Sequence, residues 1–276
     1  MNLQEAYAHA GTTLFQGNKT RAQQERRLEL VIDAMGDQDV QALNFAPLLE
    51  MLSDKAPGTV NKYLSVAKKL VDNTPQATVR RYPWKHPGPG RQRWLRKAER
   101  DLLLATLLEY PNKALGEAVW AFTKLSLSLG TRKSELLNIN PETDIEKDPD
   151  DDDLYWITIR ETKTGLQRTI AAGSGCYQLL TKCCPWEAEQ TNSTNFGRSL
   201  YEVWVWAKRR ADLPEAAGIV PHCLRHTHAT VRLDAGDTLL DVQTALGHRS
   251  PASTARYAHI HDRRKAETAK RLESVL

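Results

Sequence analysis

The feature that most constrains the fold is a proline- and glycine-rich stretch in the first third of the chain. Residues 73–91 read NTPQATVRRYPWKHPGPGR, with four prolines and two glycines. Proline fixes φ and lacks a backbone donor, so a continuous helix cannot cross this stretch. A chain of 276 residues is long enough for two domains. The sequence therefore predicts a domain over residues 1–80, an exposed basic linker over 81–94 and a second domain over 95–276.

The segment before the linker has the apolar periodicity of helices. Arg21–Met35 carries an apolar stripe, with Thr20 placed to cap its start and Gly36 to end it. Helices are also predicted over 45–52 and 59–71, the second with lysines on its outer face. Its predicted inward positions are Val60, Leu64, Ala67 and Val71. These patterns predict a small helical domain with one basic edge.

The segment after the linker combines helices with two short strands. Residues 154–159 (LYWITI) and 167–171 (QRTIA) flank the turn sequence TKTG, which predicts an antiparallel hairpin. Helical periodicity predicts helices over 97–110, 113–129, 175–184, 195–211, 226–235, 238–246, 252–257 and 263–275. The predicted fold class is therefore mainly α with a small antiparallel sheet (α+β).

Composition excludes several classes of protein. The four cysteines have neither the paired spacing of a metal site nor the density of a secreted disulfide scaffold. No stretch approaches the roughly 18 apolar residues of a membrane helix, and the first residues lack a signal-peptide pattern. The acidic run 148–153 is predicted to be a solvated turn rather than a metal site. A soluble cytoplasmic protein is expected, and its net charge of +4 is compatible with nucleic-acid binding, for instance at the nucleoid.

Three motifs in the second domain supply the groups needed to cleave a phosphodiester without a metal ion. The motifs are GTRKSEL from Gly130, PHCLRH from Pro221, and LGHRSPASTARY, which ends at Tyr257. The reaction needs a nucleophile, positive charge on the non-bridging oxygens and a proton for the leaving oxygen. Tyr257 suits the first role because nearby cations lower the pKa of a phenol. Arg132 and Arg225 suit the second because a planar guanidinium matches two phosphate oxygens.

The remaining polar residues of this region suit supporting roles. His222 and His248 titrate near working pH and can relay a proton. Lys163, at the tip of the predicted hairpin, can protonate the leaving oxygen, and Glu135 can orient Arg132. Each has a simpler interpretation as well, because a turn lysine is usually solvated and an i,i+3 pair is often a plain surface ion pair. Their shared order and spacing favour catalysis over separate coincidences.

These residues resemble the active site of the tyrosine recombinases, the phage-integrase type of site-specific DNA recombinase. The matching positions are Arg132 in TRKSELL, Lys163 in ETKTGLQRTI, His222 and Arg225 in HCLRHTHAT, His248 in LGHRS and Tyr257 in TARYAHI. They correspond one for one to the six active-site positions of the family. The resemblance covers roughly residues 95–260, and TVNKYLSVAKKLV before it is similar to the family's core-binding domain.

The resemblance implies a mechanism and partners. It implies that the two domains clamp double-stranded DNA, that Tyr257 forms a covalent 3′-phosphotyrosine bond, and that a homotetramer exchanges strands through a Holliday junction. This bond conserves the phosphodiester energy, so no cofactor, ATP or metal is expected. Accessory proteins that bend DNA or set direction are a further class of partner. In related recombinases a C-terminal helix docks on the neighbouring protomer, and the tail after Arg263 either does so or packs on its own domain.

DNA-binding residues are expected on the basic edge of the first domain and along the linker. They are Lys62, Lys68, Lys69, Arg80, Arg81, Lys85 and Arg91. An ordinary solvated linker explains the basic residues there equally well. The segment before Thr20 is too short for the accessory-site domain that lambda-type integrases usually carry. We expect either a simpler recombinase that uses core sites alone or an abbreviated helical segment with fewer DNA contacts, and the first is favoured.

Two alternative functions stay open. One is a DNA-relaxing topoisomerase of the IB type, which uses the same residues as a monomer. The other is a catalytically silent DNA-binding regulator of the same fold. The predicted helix after Tyr257 favours a recombinase over the topoisomerase, and the filled set of six positions favours an enzyme over the regulator.

Overall fold

The computed structural model describes most of the chain. The described residues are 1–10, 13–18, 20–36, 38–75, 81–86, 88, 93–160, 167–183, 193–213, 218–255, 257 and 272–273. The chain divides into two compact units, Met1–Gly90 and Arg91–Leu276. This division falls inside the predicted linker.

The first unit is a group of helices around an apolar core. Its helices are α1 (Leu3–Ala10), α2 (Arg21–Met35), α3 (Ala46–Met51) and α4 (Pro57–Asp72). The four positions predicted to face inward on α4 are all buried, together with Leu28 and Phe15. Helix α2 has the predicted bounds, and Gly36 ends it at a φ of 62°. Thr20 precedes α2 without a side-chain capping bond, because its hydroxyl donates to Asn18 instead, at 3.0 Å.

Part of the segment predicted as an exposed linker packs on the first unit. Tyr82 is buried, and its ring centroid lies 5.2 Å from that of Phe45. The side-chain amide of Asn61 donates to the carbonyl of Lys85 at 2.7 Å, and the Lys85 amide donates back at 2.8 Å. The prediction of exposure is wrong at Tyr82, because proline and glycine content reports the absence of a helix and not the burial of an aromatic ring.

The second unit is mostly helical, with one small sheet. Its elements are α5 (Lys97–Leu107), α6 (Lys113–Leu129), α7 (Lys133–Leu137), α8 (Pro141–Asp144), β1 (Ile145–Lys147), β2 (Leu154–Ile159), β3 (Arg168–Gly173), α9 (Ser174–Cys183), α10 (Ser193–Arg210), α11 (Cys223–Ala235), α12 (Leu239–Leu246) and α13 (Pro251–Ala255). Helix α6 is central and packs against α5, α9, α10 and α11. Phe122 and Leu125 of α6 are buried with Trp204 of α10 in the main core. The predicted α+β fold class is confirmed.

The sheet is antiparallel, in the order β1-β2-β3. Trp156 of β2 is paired with Ala171 of β3, as the predicted hairpin requires. Strand β1 was not predicted, because the sequence IEK is too short to show a strand period. The hairpin turn, with Lys163, lies outside the described residues. Among those described, no group of three or more His, Cys, Asp or Glu is placed to hold a metal ion.

Two helix boundaries differ from the predictions in ways that matter for the site. Helix α11 begins at Cys223 rather than at residue 226, so Arg225 lies in its first turn. Helix α13 ends at Ala255, and the backbone amide of Tyr257 donates to the Thr254 carbonyl at 2.9 Å. Of the predicted helix 263–275, only residues 272–273 are described. None of the described helices is both long and apolar enough to cross a membrane.

Candidate active site

The turn after α6 positions the first motif. Gly130 ends α6 in the left-handed conformation, at a φ of 62°. A Cβ atom at this position would lie 2.3 Å from the ring of buried His228, so no other residue fits without a shift. The chain then turns through Thr131 into Arg132, which is the N-cap residue of α7. The backbone therefore places the Arg132 guanidinium beside the first turn of that helix.

Glu135 is the centre of an ion network. Its side chain is almost fully buried and accepts hydrogen bonds from Arg132 Nη1 at 2.5 Å and Arg168 Nη2 at 2.7 Å. The Arg132 backbone amide donates to it as well, at 2.9 Å, and Arg225 Nη1 lies 3.8 Å away. Burial alone raises the pKa of this carboxyl, but the hydrogen bonds from Arg168 and Arg132 outweigh burial and hold the pKa at about 2. The buried carboxylate is not a plain surface ion pair, which supports its predicted orienting role.

Arg225 is buried, and backbone carbonyls hold its guanidinium in place. Nη1 donates to the Gly130 carbonyl at 2.8 Å and Nη2 to the Leu246 carbonyl at 2.5 Å. Burial, together with the charge of Arg132, lowers its pKa to about 9. The group therefore stays protonated at neutral pH. Each terminal nitrogen carries a second hydrogen, so donors remain for a phosphate.

Arg168 was not identified from the sequence. This β3 residue donates through Nε to the Ala245 carbonyl at 3.0 Å, in addition to its bond with Glu135. A Cβ atom on Gly247 would lie 2.9 Å from its side chain. Arg168 thus joins the Glu135 network to the end of α12, next to His248. Strand alternation could have identified Arg168 from the sequence. It shares a strand face with buried Ile170, and a charge on a buried face needs a partner.

Tyr257 is buried beside this network. It is 5% exposed and packs with an apolar cluster that includes Leu233 and Leu246. Its hydroxyl lies 2.5 Å from Nδ1 of His226. His226 directly follows Arg225, and Leu246, which packs with Tyr257, accepts a hydrogen bond from Arg225 through its carbonyl. The predicted nucleophile is therefore held in the interior, in contact with a histidine that was not assigned a role from the sequence.

The two predicted histidines each contact a residue near this arrangement. His222 is the N-cap residue of α11, and its ring meets that of His226 edge-on at a centroid distance of 4.9 Å. His248 follows Gly247, and its Nδ1 lies 2.8 Å from the Thr254 hydroxyl. His226 directly follows Arg225, but no role was assigned to it from the sequence. It was interpreted only as the first residue of the predicted helix α11.

Comparisons with known proteins agree with this geometry. The model of the phage integrase family matches residues 93–264. The chain belongs to the phage integrase family. Tyrosine recombinase XerC of Roseiflexus sp. (strain RS-1) is 30% identical over 161 residues, which cover 53% of this chain and 49% of that protein. XerC of Staphylococcus aureus (strain MSSA476) is 30% identical over 177 residues, 59% of this chain and 55% of that protein. The chain spans about half the length of these curated relatives.

Solved integrase structures share the fold. The Tn1549 transposon integrase in complex with transposon right end DNA has a TM-score of 0.69 at 18% identity, covering 98% of this chain and 99% of that one. A lambda integrase tetramer bound to a Holliday junction has a TM-score of 0.64 at 15% identity, covering 93% and 77%. At these identities the likeness shows the fold alone.

Within this phage integrase fold, the structure brings together most of the predicted catalytic residues. Arg132 and Arg225 lie at Glu135. Tyr257 and His222 both contact His226, which follows Arg225. His248 follows Gly247, which lies against Arg168. Lys163 lies outside the described residues, so its role stays a prediction.

The predicted DNA-binding residues of the first unit have mixed environments. Lys62, Arg81 and Lys85 are exposed. Lys68 pairs with Asp72 at 2.5 Å, and the Lys69 ammonium lies 4.7 Å from the centre of the Phe15 ring. Arg80 and Arg91 lie outside the described residues. The contacts of Lys68 and Lys69 have to be shared or exchanged if these side chains bind phosphate.

Proposed function

We propose that this protein is a site-specific DNA recombinase that cleaves and rejoins strands through a covalent 3′-phosphotyrosine intermediate. The observation that carries the proposal is that Arg132 and Arg225 both lie within 4 Å of one buried carboxylate, while Tyr257 bonds to His226, the residue that follows Arg225. Two fixed guanidinium groups supply the charge that a pentacoordinate phosphorus requires, so no metal ion is needed. Membership of the phage integrase family supports the same chemistry.

The cleavage step can be written with the groups present. The Tyr257 hydroxyl oxygen attacks phosphorus while Arg132 and Arg225 hold the non-bridging oxygens. The new bond joins this oxygen to phosphorus, and the bond from phosphorus to the 5′ oxygen breaks. His226 is within reach to accept the phenol proton. The leaving 5′ oxygen takes a proton, for which Lys163 is the predicted donor. The reverse attack by a 5′ hydroxyl rejoins the strand.

The burial of Tyr257 makes a conformational step part of the proposal. A hydroxyl that is packed in an apolar cluster and bonded to His226 reaches a phosphate only after a local rearrangement. DNA binding or assembly with further protomers is the proposed trigger, because a ligand shifts the equilibrium toward the state that it binds better. Duplex DNA and a homotetramer on it are accordingly the proposed partners, with accessory proteins that bend DNA or set direction as a further class. The nucleoid is the proposed place of action.

Trapping on nicked suicide duplexes, drawn from DNA that flanks the gene, tests the proposal. Wild-type protein should give a DNA-linked species on a denaturing gel, and Tyr257→Phe should bind the same duplex and give none. Tyr177→Phe is a matched control, because Tyr177 stacks on Tyr155, away from the Glu135 network. A chelator should leave the yield unchanged.

The two alternative functions give different results in the same set of assays. A relaxing topoisomerase would act on a single supercoiled circle and would not join two sites. A catalytically silent regulator would bind DNA without forming an adduct. The burial of Tyr257 is compatible with this alternative. An adduct that persists in Tyr257→Phe would overturn the assignment of the nucleophile.

A further inference from the structure

A pocket of about 260 Å³ lies between α6, α10, α11 and the start of α7. Arg225 and His222 line one side of it, and Ser126, Thr131 and Lys133 contribute further polar groups. The described residues that line the pocket include no carboxylate. Its volume is below that of a typical drug-sized ligand site and suits a small anionic group.

Thr131 contributes a hydroxyl without a partner. The residue is 4% exposed, and its Oγ1 is buried without a hydrogen bond among the described residues. Buried hydroxyl groups are normally bonded, because leaving one unpaired costs its full desolvation. A ligand oxygen in the pocket would supply the missing acceptor.

Lys133 contributes a charge without a carboxylate partner among the described residues. The neighbouring cations Arg132 and Arg168 both bond to Glu135, whereas the Lys133 ammonium does not. It instead lies 3.0 Å from the position that a Cβ atom on Gly197 would occupy, so the glycine leaves space for it beside α10. An ammonium and a guanidinium around one pocket attract an anion.

We infer that this pocket is a phosphate-binding subsite, in which Lys133 and Thr131 hold a backbone phosphate of the bound DNA. The inference rests on the proposed function and adds two contacts that the six predicted catalytic positions do not include. The ammonium supplies a point charge and the threonine hydroxyl a hydrogen bond to a phosphate oxygen. Free inorganic phosphate has the same chemistry, so the test separates the two sources.

The first measurement is the affinity for a labelled duplex of fixed sequence over a series of salt concentrations. Lys133→Met should weaken binding about tenfold and reduce the slope of log K against log salt by about 0.9, the loss of one phosphate contact. Lys113→Met, at the start of α6 and outside the pocket, is the matched control and should keep the slope. An unchanged slope in Lys133→Met would overturn the DNA contact.

The second measurement separates binding from folding. Thr131→Val keeps the side-chain shape and removes the unpaired hydroxyl, so its melting temperature should equal or exceed that of the wild type, whereas its DNA affinity should fall about tenfold. If Thr131 had a purely structural role, the substitution would lower the melting temperature and the DNA affinity together. An unchanged DNA affinity would contradict the inference.

Inorganic phosphate at constant ionic strength is the third arm. Phosphate could raise the melting temperature of the wild type but not of Lys133→Met, while both proteins show the same salt slope for DNA. That result would assign the pocket to a free anion and reject the DNA contact. A wild-type adduct at Tyr257 together with unchanged slopes would reject the pocket and keep the proposed function. A reduced salt slope in Lys133→Met without any wild-type adduct would keep the phosphate pocket and reject the proposed function.

Discussion

At the scale of single residues, the site depends on charge held in the interior. Glu135 is buried, yet three arginines lie within 4 Å of it, two of them in direct hydrogen bonds. Breaking such a network by removing one charge is costly because the others lose their partner. The carboxylate therefore holds the guanidinium groups in place without a ligand, which would reduce the reorganisation that the proposed reaction requires.

Glu135→Gln should lower stability in a pH-dependent way. The folded pKa of about 2 lies below the ordinary value of 4.5, so the carboxylate stabilises the fold above about pH 4.5, and this contribution is lost as the pH falls toward 2. The difference between wild type and variant should be on the order of 3 kcal/mol at pH 7 and should shrink steadily in acid. Urea unfolding of both proteins from pH 7 to pH 2 measures it. A difference that is independent of pH would contradict the network.

Arg225→Lys should lose most of the strand-cleavage rate. A lysine has one nitrogen and cannot reach the Gly130 and Leu246 carbonyls and a phosphate together. A loss of roughly 100-fold or more is expected, which corresponds to the removal of one fixed transition-state donor. Single-turnover adduct formation measures the rate, and equal duplex affinity controls for binding. A cleavage rate equal to that of the wild type would show that the two terminal nitrogens of Arg225 are not both needed.

At the scale of elements, the apolar period and the glycines of the sequence predicted where long helices begin and end. They could not predict which elements pack together. The bounds of α2, α6 and β2 match the predictions because their apolar patterns are long and glycines end both helices. Helix α1 and strand β1 went unpredicted because short segments show little period. Arg168 meets Glu135 across 33 positions of sequence, because β3 and α7 both pack against α6.

Gly130→Ala should destabilise the second unit more than Gly36→Ala destabilises the first. Both glycines have a φ of 62°, but a Cβ at Gly36 meets nothing within 4 Å, whereas one at Gly130 meets the His228 ring. Gly36→Ala should cost about 1 kcal/mol of backbone strain, and Gly130→Ala that strain plus the displacement of His228. Thermal unfolding compares them. Equal losses would mean that the contact with His228 carries no weight.

At the scale of the whole molecule, two compact units follow one another along the chain, and the second contains the entire candidate site. The sequence predicted six catalytic positions, but it could not predict that Tyr257 is 5% exposed, because that burial depends on residues of α11 and α12. If Tyr257 is the nucleophile of the proposed reaction, its burial in an apolar cluster protects the phenol from unproductive reaction until DNA binds. The proposed function therefore predicts that activity depends on assembly.

The most direct test is to identify the amino acid that carries the DNA. The trapped complex can be digested with protease and nuclease, and the remaining nucleotide located by tandem mass spectrometry. The proposed function predicts a 3′-phosphate ester on the phenol oxygen of Tyr257. A nucleotide on any other residue, or a trapped complex without a covalent bond, would contradict it.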